Sequence, residues 1–404
     1  MNNHFIGIVG EYNPFHSGHQ YHIARSRQEL GDLPVVVVMS GDFVQRGEPA
    51  IYSKFARAEA AVRGGADLVL ELPLPWCLSS AEGFARGAVG LLGRLGAEYL
   101  SFGSESGNVE ELDALSRCLL DPTLQYTIKE YMKTRPELSY ARARQCVLAG
   151  KAGERAALLE TPNNLLAVEY CRAIYELCPE VKPFTVKREG SGHDEMDGDG
   201  FSSASRLRRM ILTGESTGGE IPSAVRQVYL REEEQGRCAV ETKMLEQAIL
   251  SRLRMVPLSA FVLQPDGADG IGKRLYEAAR SEYSYDAVLS AAKTKRYALA
   301  RLRRMSMCAV LGVGAGESAD SAVPPYARVL AFNSRGQELL SRINKEPAVP
   351  IITKSASVRD VSNECARLFA AGASAHDFYA LAYRAESERK GGTDWRYTPK
   401  RVEY

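Results

Sequence analysis

The chain lacks an excess of either charge, paired cysteines and a long apolar run, and each absence excludes a class of protein. Lysine and arginine total 51 against 50 acidic residues, a formal charge of +1. Overall charge therefore argues neither for nor against a nucleic-acid partner, and only local clustering bears on that question. Eight cysteines stand singly, with no CxxC pair among them, which excludes a zinc knuckle or a disulfide framework and predicts reduced, mostly buried thiols. The longest apolar stretch, Leu33 to Met39, falls far short of the ~20 residues needed to cross a bilayer. The opening MNNHFIGIVG has neither a basic n-region nor a long apolar h-region. The expectation is a soluble, cytoplasmic protein without a signal peptide.

What is present is an α/β pattern. With 404 residues and 45% hydrophobic content, the chain suits two domains of ordinary size. FIGIV (5 to 9), VVVVM (35 to 39), DLVLEL (67 to 72) and YLSFG (99 to 103) read as buried strands, and residues 17 to 30, 53 to 64 and 80 to 95 between them read as helices. Such alternation predicts a Rossmann-like parallel sheet with helices on both faces and ligands at the carboxyl ends of the strands. A helix is expected from Asn163 to Leu177, a strand over 181 to 188, a mobile glycine-rich loop over 189 to 200, and a helix capped by Ser202 or Ser203. The β-rich pattern then fades. A boundary near residue 215 divides an α/β domain (1–215) from a mainly helical one (216–404).

Four of the six histidines lie in the first 22 residues, and His16, His19 and His22 follow at intervals of three. His16-Ser17-Gly18-His19 comes directly after a strand and opens a helix, where Gly18 permits close backbone approach and the free N–H groups of the helix start favour an anion. Two imidazoles three residues apart can reach one phosphate. The chemistry that fits is attack on the α-phosphate of a nucleotide, which needs charge stabilisation and positioning more than covalent participation. Zinc binding by the three histidines is the competing reading, disfavoured because i and i+6 diverge by roughly 120° on a helix; no metal ligand is assigned. His4 and His376 are read as structural.

The pattern is the HxGH signature of the nucleotidylyltransferase superfamily. A second superfamily signature, resembling ISSTxIR, is matched in reduced form by Ser203, Ser205 and Arg208, with Ala204 replacing a serine; Arg208 would hold the β- and γ-phosphates as a donor fork. The longer string VGEYNPFHSGHQYH resembles the bacterial tRNA(Met) cytidine acetate ligase family, and the similarity continues through VVMSGDFVQRGEPAIYSKFARAEAA, FGSESG, PNNLLAVEY and KPFTVKR to KTKRYALARLRRM. The resemblance implies an ATP-dependent ligase. Acetate would attack ATP to give acetyl-adenylate and pyrophosphate, and the acetyl group would pass to N4 of the wobble cytidine, position 34, of elongator tRNA(Met).

The family's ATP site carries over to Val9, Gly10, Glu11, Tyr12, Asn13, Pro14, Phe15, His16, Ser17, Gly18, His19, Gln20, Tyr21 and His22, with Gly103, Asn163 and Arg188. Ser17 stands where the family often has asparagine. His16, His19, Ser205 and Arg208 are the residues assigned to phosphate chemistry, and His22 is read as a pocket wall or packing residue. From spacing alone Asn163 suits a helix cap as well as a base edge, and Arg188 a surface ion pair as well as a phosphate. Asp42, Gln45, Arg46 and Glu48 would shape an acetate pocket or form a solvated loop, and Glu71 and Glu82 raise the same choice. Mg²⁺ is expected with ATP, held by phosphates and water.

Residues 293 to 305 contain Lys293, Lys295, Arg296, Arg301, Arg303 and Arg304 and no acid. On a helix, Ala298, Leu302 and Met305 share one face and the cations surround it, a plausible phosphate track or a solvated basic face. Trp395, Tyr397, Lys400 and Arg401 mix aromatics with cations near the end of the chain, in a tail suited to single-stranded loops or to disorder. Two other functions fit parts of the pattern: a small-molecule adenylyltransferase making a nucleotide cofactor, and a non-catalytic RNA-binding protein.

Overall fold

Val35 to Met39 shows how strand alternation builds two layers at once. Val36 and Val38 pack into one hydrophobic cluster with Leu68, Leu70, Leu100 and the helix Ala81–Arg94. Val35, Val37 and Met39 pack into a second cluster with Ile6, Ile8 and the helix Lys54–Arg63. A strand buried on both faces needs no polar side, so it reads as one continuous apolar run. In this computed structural model the described residues are 4–135, 137–188, 203–264, 266–268, 270–314 and 323–403; the expected glycine-rich loop over 189–200 and the cap at Ser202 lie outside them.

The strands are β1 (Ile6–Gly10), β2 (Val35–Ser40), β3 (Phe43–Val44), β4 (Glu48–Pro49), β5 (Leu68–Leu72), β6 (Tyr99–Ser104), β7 (Lys182–Lys187), β8 (Ala327–Phe332), β9 (Ile351–Ile352) and β10 (Lys400–Arg401). The main sheet runs β10-β8-β5-β2-β1-β6-β7 with β9 beside β8, and β3–β4 is a separate hairpin. Strands β1, β2 and β5 step in one direction, and the chain then returns to place β6 on the other side of β1. The order therefore reverses between β1 and β6, where a doubly wound sheet opens a crevice at its carboxyl edge.

Two expectations need correction. The sheet is not wholly parallel: β8 runs antiparallel to β5, with Glu71 opposite Arg328. Nor is the sheet confined to the first 215 residues. The helices Glu246–Met255, Ile271–Ser281, Tyr285–Ala292, Leu299–Leu311 and Asn363–Ala380 bear out a largely helical second half, but β8, β9 and β10 from that half complete the sheet. A run as short as ARVLAF cannot be told from a buried helical turn by periodicity. The carboxyl-terminal residues are likewise built in. Tyr397 stacks on Phe55 at 3.9 Å and donates to the Leu330 carbonyl at 2.8 Å, and Trp395 packs on Phe369 at 4.7 Å.

That junction contains a buried charge network. The Lys54 Nζ lies 2.8 Å from Glu71 and 2.6 Å from Asp394, Arg328 pairs with Glu71 at 2.8 Å and with Asp394, and His376 Nδ1 bonds Asp42 at 3.0 Å. Asp42 and Glu71 thus face each other's counterions rather than an open pocket, and Glu82 pairs with Arg172 at 3.1 Å. Removing one partner from such a group leaves a buried charge uncompensated, at a cost of about 3–5 kcal/mol.

Candidate active site

His16 is the N-cap of the helix Ser17–Leu30, in extended backbone. Its Nδ1 accepts from the Gly18 N–H at 3.1 Å, while its own N–H donates to His19 Nδ1 at 3.3 Å. The two imidazoles thus form a reciprocal capping box, a role usually filled by Ser or Thr with Glu or Gln. The expectation of free N–H groups for an anion fails here. Ser17 N–H donates to the Glu220 carbonyl, Gly18 N–H to His16, and the N–H groups of His19 and Gln20 to the His16 carbonyl. Ser17 Oγ is also committed to Glu220, at 2.8 Å.

The donors move to the side chains instead. Burial, reinforced by Arg188, pushes the His16 imidazole down to about 4, and burial with neighbouring His16, Arg188 and His22 holds His19 well below its ordinary value. A neutral ring whose Nδ1 accepts a hydrogen bond carries its proton on Nε2. The rings lie 3.9 Å apart, so the helix entrance presents two uncharged N–H donors side by side. His22 differs: its Nε2 is 2.8 Å from Ser101 Oγ, which bonds Ser26 Oγ in turn. It is tied to β6 as part of the helix–sheet packing.

The second motif meets the first directly. Ser203 caps the helix Ala204–Thr213. Arg208 Nη2 donates to Ser205 Oγ at 3.0 Å, and Nη1 to the Asn13 carbonyl at 2.8 Å. Asn13 Oδ1 accepts from the Ile51 N–H at 2.8 Å. Tyr12 packs on the first motif, its ring against Phe15 and His19 at 4.9 and 4.8 Å, and its buried hydroxyl has no hydrogen-bond partner among the described residues.

Gly103, at the end of β6, faces Arg188, which continues β7: a Cβ at 103 would stand 3.4 Å from the arginine Cγ. No described residue bonds the Arg188 side chain, although its charge depresses all three histidines. Asn163 and Asn164 open the helix Pro162–Leu177, whose N-cap Thr161 makes no side-chain capping bond and instead donates its hydroxyl back to the Leu158 carbonyl. The cap comes from Glu105, which accepts from Asn163 Nδ2 at 2.7 Å and from the Asn164 N–H at 2.7 Å. Asn163 therefore serves the cap and keeps its carbonyl oxygen. Glu105 and Asn164 escaped sequence reasoning, although FGSESG and PNNLL were both recognised, because their pairing spans 59 residues.

A model of the HIGH nucleotidyl transferase family matches residues 3–394. The tRNA(Met) cytidine acetate ligase of Thermoanaerobacter sp. (strain X514) is 35% identical over 392 residues, covering 95% of this chain and 96% of that protein. That of Acetivibrio thermocellus is 33% identical over 409 residues, covering 96% and 98%. The chain belongs to the tRNA(Met) cytidine acetate ligase family. Crystal structures of Thermotoga maritima TmcAL, 32% identical and covering 100% of both chains, superpose with a TM-score of 0.90 when bound with alpha-thio ATP (form II) and 0.92 in the apo form I.

In this member of the ligase family the basic run is divided by the fold. The helix begins at Leu299 with Ala298 as its N-cap, so Lys293, Lys295 and Arg296 stand exposed on the preceding turn rather than on the helix. Arg301 donates to the Asp266 carbonyl at 2.6 Å, Arg304 pairs with the Asp266 carboxylate at 3.2 Å and is buried, and Arg303 pairs with Glu48 at 2.5 Å. The β3–β4 hairpin is seated on this helix. Gly47 has φ +77, and a Cβ there would come within 2.4 Å of the Arg304 backbone nitrogen. In the same turn, two residues before Gly47, the Gln45 N–H donates to Glu11 Oε1 at 2.7 Å and ties the hairpin to the segment that follows β1.

Proposed function

We propose that the chain joins acetate to the wobble cytidine, position 34, of elongator tRNA(Met) at the expense of ATP. In the first step an acetate oxygen attacks the α-phosphorus, the bond to the β-phosphate bridging oxygen breaks, and acetyl-adenylate and pyrophosphate result. In the second, N4 of cytidine attacks the acetyl carbonyl, the acyl–phosphate bond breaks, AMP leaves and N4 gives up a proton.

The observation that carries this reading is geometric: the His16 and His19 rings lie 3.9 Å apart with each Nδ1 taken by a backbone N–H, while Arg208 holds the carbonyl of Asn13, just before them in the chain, and Arg188 stands at the end of the neighbouring strand against Gly103. Donors that bring no charge of their own can strengthen toward a phosphorane-like transition state, while the cations take the charge that collects on the leaving pyrophosphate. Gly103 and the Asn163 carbonyl oxygen would border the nucleoside. Mg²⁺ would travel with ATP. Among the described residues no three or more His, Cys, Asp or Glu are placed to hold a metal ion; an ion that arrives with ATP would rest on phosphate and water ligands, and no step is routed through it. Residues 1–215 would bind ATP. Lys293, Lys295 and Arg296 would meet RNA phosphates, with Arg301, Arg303 and Arg304 held behind them by Asp266 and Glu48.

Incubation of purified protein with ATP, acetate and tRNA(Met) transcript should give acetylated cytidine by mass spectrometry, together with AMP and pyrophosphate. A transcript that stays unmodified while pyrophosphate exchange proceeds would reject the acceptor. Exchange that depends on a phosphorylated metabolite and not on acetate would point to a cofactor adenylyltransferase.

A further inference from the structure

The tripeptide Glu11–Tyr12–Asn13 joins β1 to the histidine pair. Tyr12 takes a left-handed backbone, φ 46, which a bulky residue keeps only when its surroundings hold it there. Two arginines do the holding. Arg57 Nη1 donates to the Glu11 carbonyl at 2.5 Å and Arg208 Nη1 to the Asn13 carbonyl at 2.8 Å, one on each side of Tyr12.

Their surroundings differ. Arg57 is fully buried at 0% exposure. Its Nε donates to the Tyr52 carbonyl at 3.0 Å, and Nη2 to the carbonyls of Ser40, at 3.2 Å, and Gly41. All its partners are main-chain oxygens at the carboxyl ends of β1 and β2 or at the start of the helix that carries it. Four of the five N–H groups of a guanidinium are thereby used. Arg208 is half-buried and holds two neutral oxygens, the Asn13 carbonyl and Ser205 Oγ. A phosphate oxygen is a stronger acceptor for it than either.

We propose that Arg57 is a positioning residue: it pins the Glu11–Asn13 turn from beneath, so that Arg208 can trade the Asn13 carbonyl for the phosphates of ATP and pyrophosphate without the turn and its histidines relaxing. The proposal rests on the reading of Arg208 as a phosphate-holding residue.

Two experiments test it. In crystals of the wild-type protein with a non-hydrolysable ATP analogue, Arg208 should have left the Asn13 carbonyl while Arg57 still holds Glu11; Arg208 remaining on Asn13, or Arg57 leaving Glu11, overturns the proposal. Acetate-dependent ATP–pyrophosphate exchange is then compared for R57K, R208K and the double variant. A lysine has one nitrogen and cannot span the same carbonyls. R57K should lower kcat about tenfold or more while KM for ATP moves less than about threefold, and the double variant should match R208K, because the hold of Arg57 on the turn is needed only when residue 208 leaves Asn13 for phosphate. Additive losses, or a kcat that merely follows the folded fraction in thermal melts, would mark a structural role and overturn it. If R57K does not fold, the crystallographic result decides. If R208K alone leaves exchange untouched, the phosphate reading of Arg208 fails and takes this proposal with it; additivity against an impaired R208K sinks the proposal only.

Discussion

The helix entrance at His16–His19 and the basic run from Lys293 to Arg304 are both dense in ionisable side chains, yet they use them in opposite ways. At the entrance a backbone N–H occupies one nitrogen of each imidazole, and the proposed ligand would meet the other. In the basic run the protein takes Arg301, Arg303 and Arg304 for Asp266 and Glu48 and leaves Lys293, Lys295 and Arg296 to solvent. The difference lies in range. A capping box closes within four residues, so its geometry is written locally, whereas the partner of an arginine is chosen by whatever the fold brings alongside.

The sharpest way to break this comparison is to separate capping from chemistry. Asparagine is a good N-cap, so H16N should fold with a melting temperature close to that of the wild type yet lose acetate-dependent pyrophosphate exchange by about 10²-fold or more, the scale of a lost oxyanion donor. H19A should lose exchange to a similar degree but melt earlier, because the His19 ring accepts the His16 N–H and packs on Tyr12 and Phe15. Full exchange by H16N would reduce His16 to a cap.

Acid should affect the entrance before the basic run. The folded-state values of His16 and His19 lie below their unfolded ones, so between the ordinary value near 6.5 and about 4 the unfolded chain binds more protons. Stability should therefore fall as pH drops through that window, by up to about 1.4 kcal/mol per pH unit for each such histidine. Urea melts from pH 7 to 4.5 measure the slope. H16N should flatten it, and an unchanged slope would mean that His16 is not held neutral.

The basic run divides the remaining predictions. R304A should lower folding stability by about 1–3 kcal/mol in denaturant melts, because it strips a buried pair. K295A/R296A should leave melts within about 0.5 kcal/mol and instead weaken tRNA binding while reducing its salt slope by about 2. A reversal between the two variants would refute the division drawn by the fold. The smallest effect is expected at Tyr12. Y12F removes a buried hydroxyl without a partner among the described residues and should stabilise the free protein by about 1 kcal/mol. If ATP or acetate satisfies that hydroxyl, KM for it rises in the same variant.

Legibility followed the same rule of range. Strands β1, β2, β5, β6 and β7 and the helix Ser17–Leu30 were readable because apolar runs and a cap signature are local. The two helix-start motifs were readable because each opens a helix with a side-chain cap, His16 in one and Ser203 in the other. Glu105, which caps the helix of Asn163, and Arg57, which holds Glu11, were not. A capping carboxylate or a carbonyl-bound guanidinium looks like any surface charge until its partner, 59 or 46 residues away, is placed beside it.

By itself, then, the sequence determined the α/β core, the helix entrance with its paired imidazoles and the order of the two phosphate motifs, because hydrophobic period and capping chemistry act over a few residues. The tertiary structure alone decided that β8 joins the sheet antiparallel to β5, that the N–H groups at the start of the first helix are already spent, and that Arg301, Arg303 and Arg304 are paired within the fold. Those outcomes depend on pairing groups far apart in the chain, and a hydrogen bond or ion pair has no counterpart in local composition.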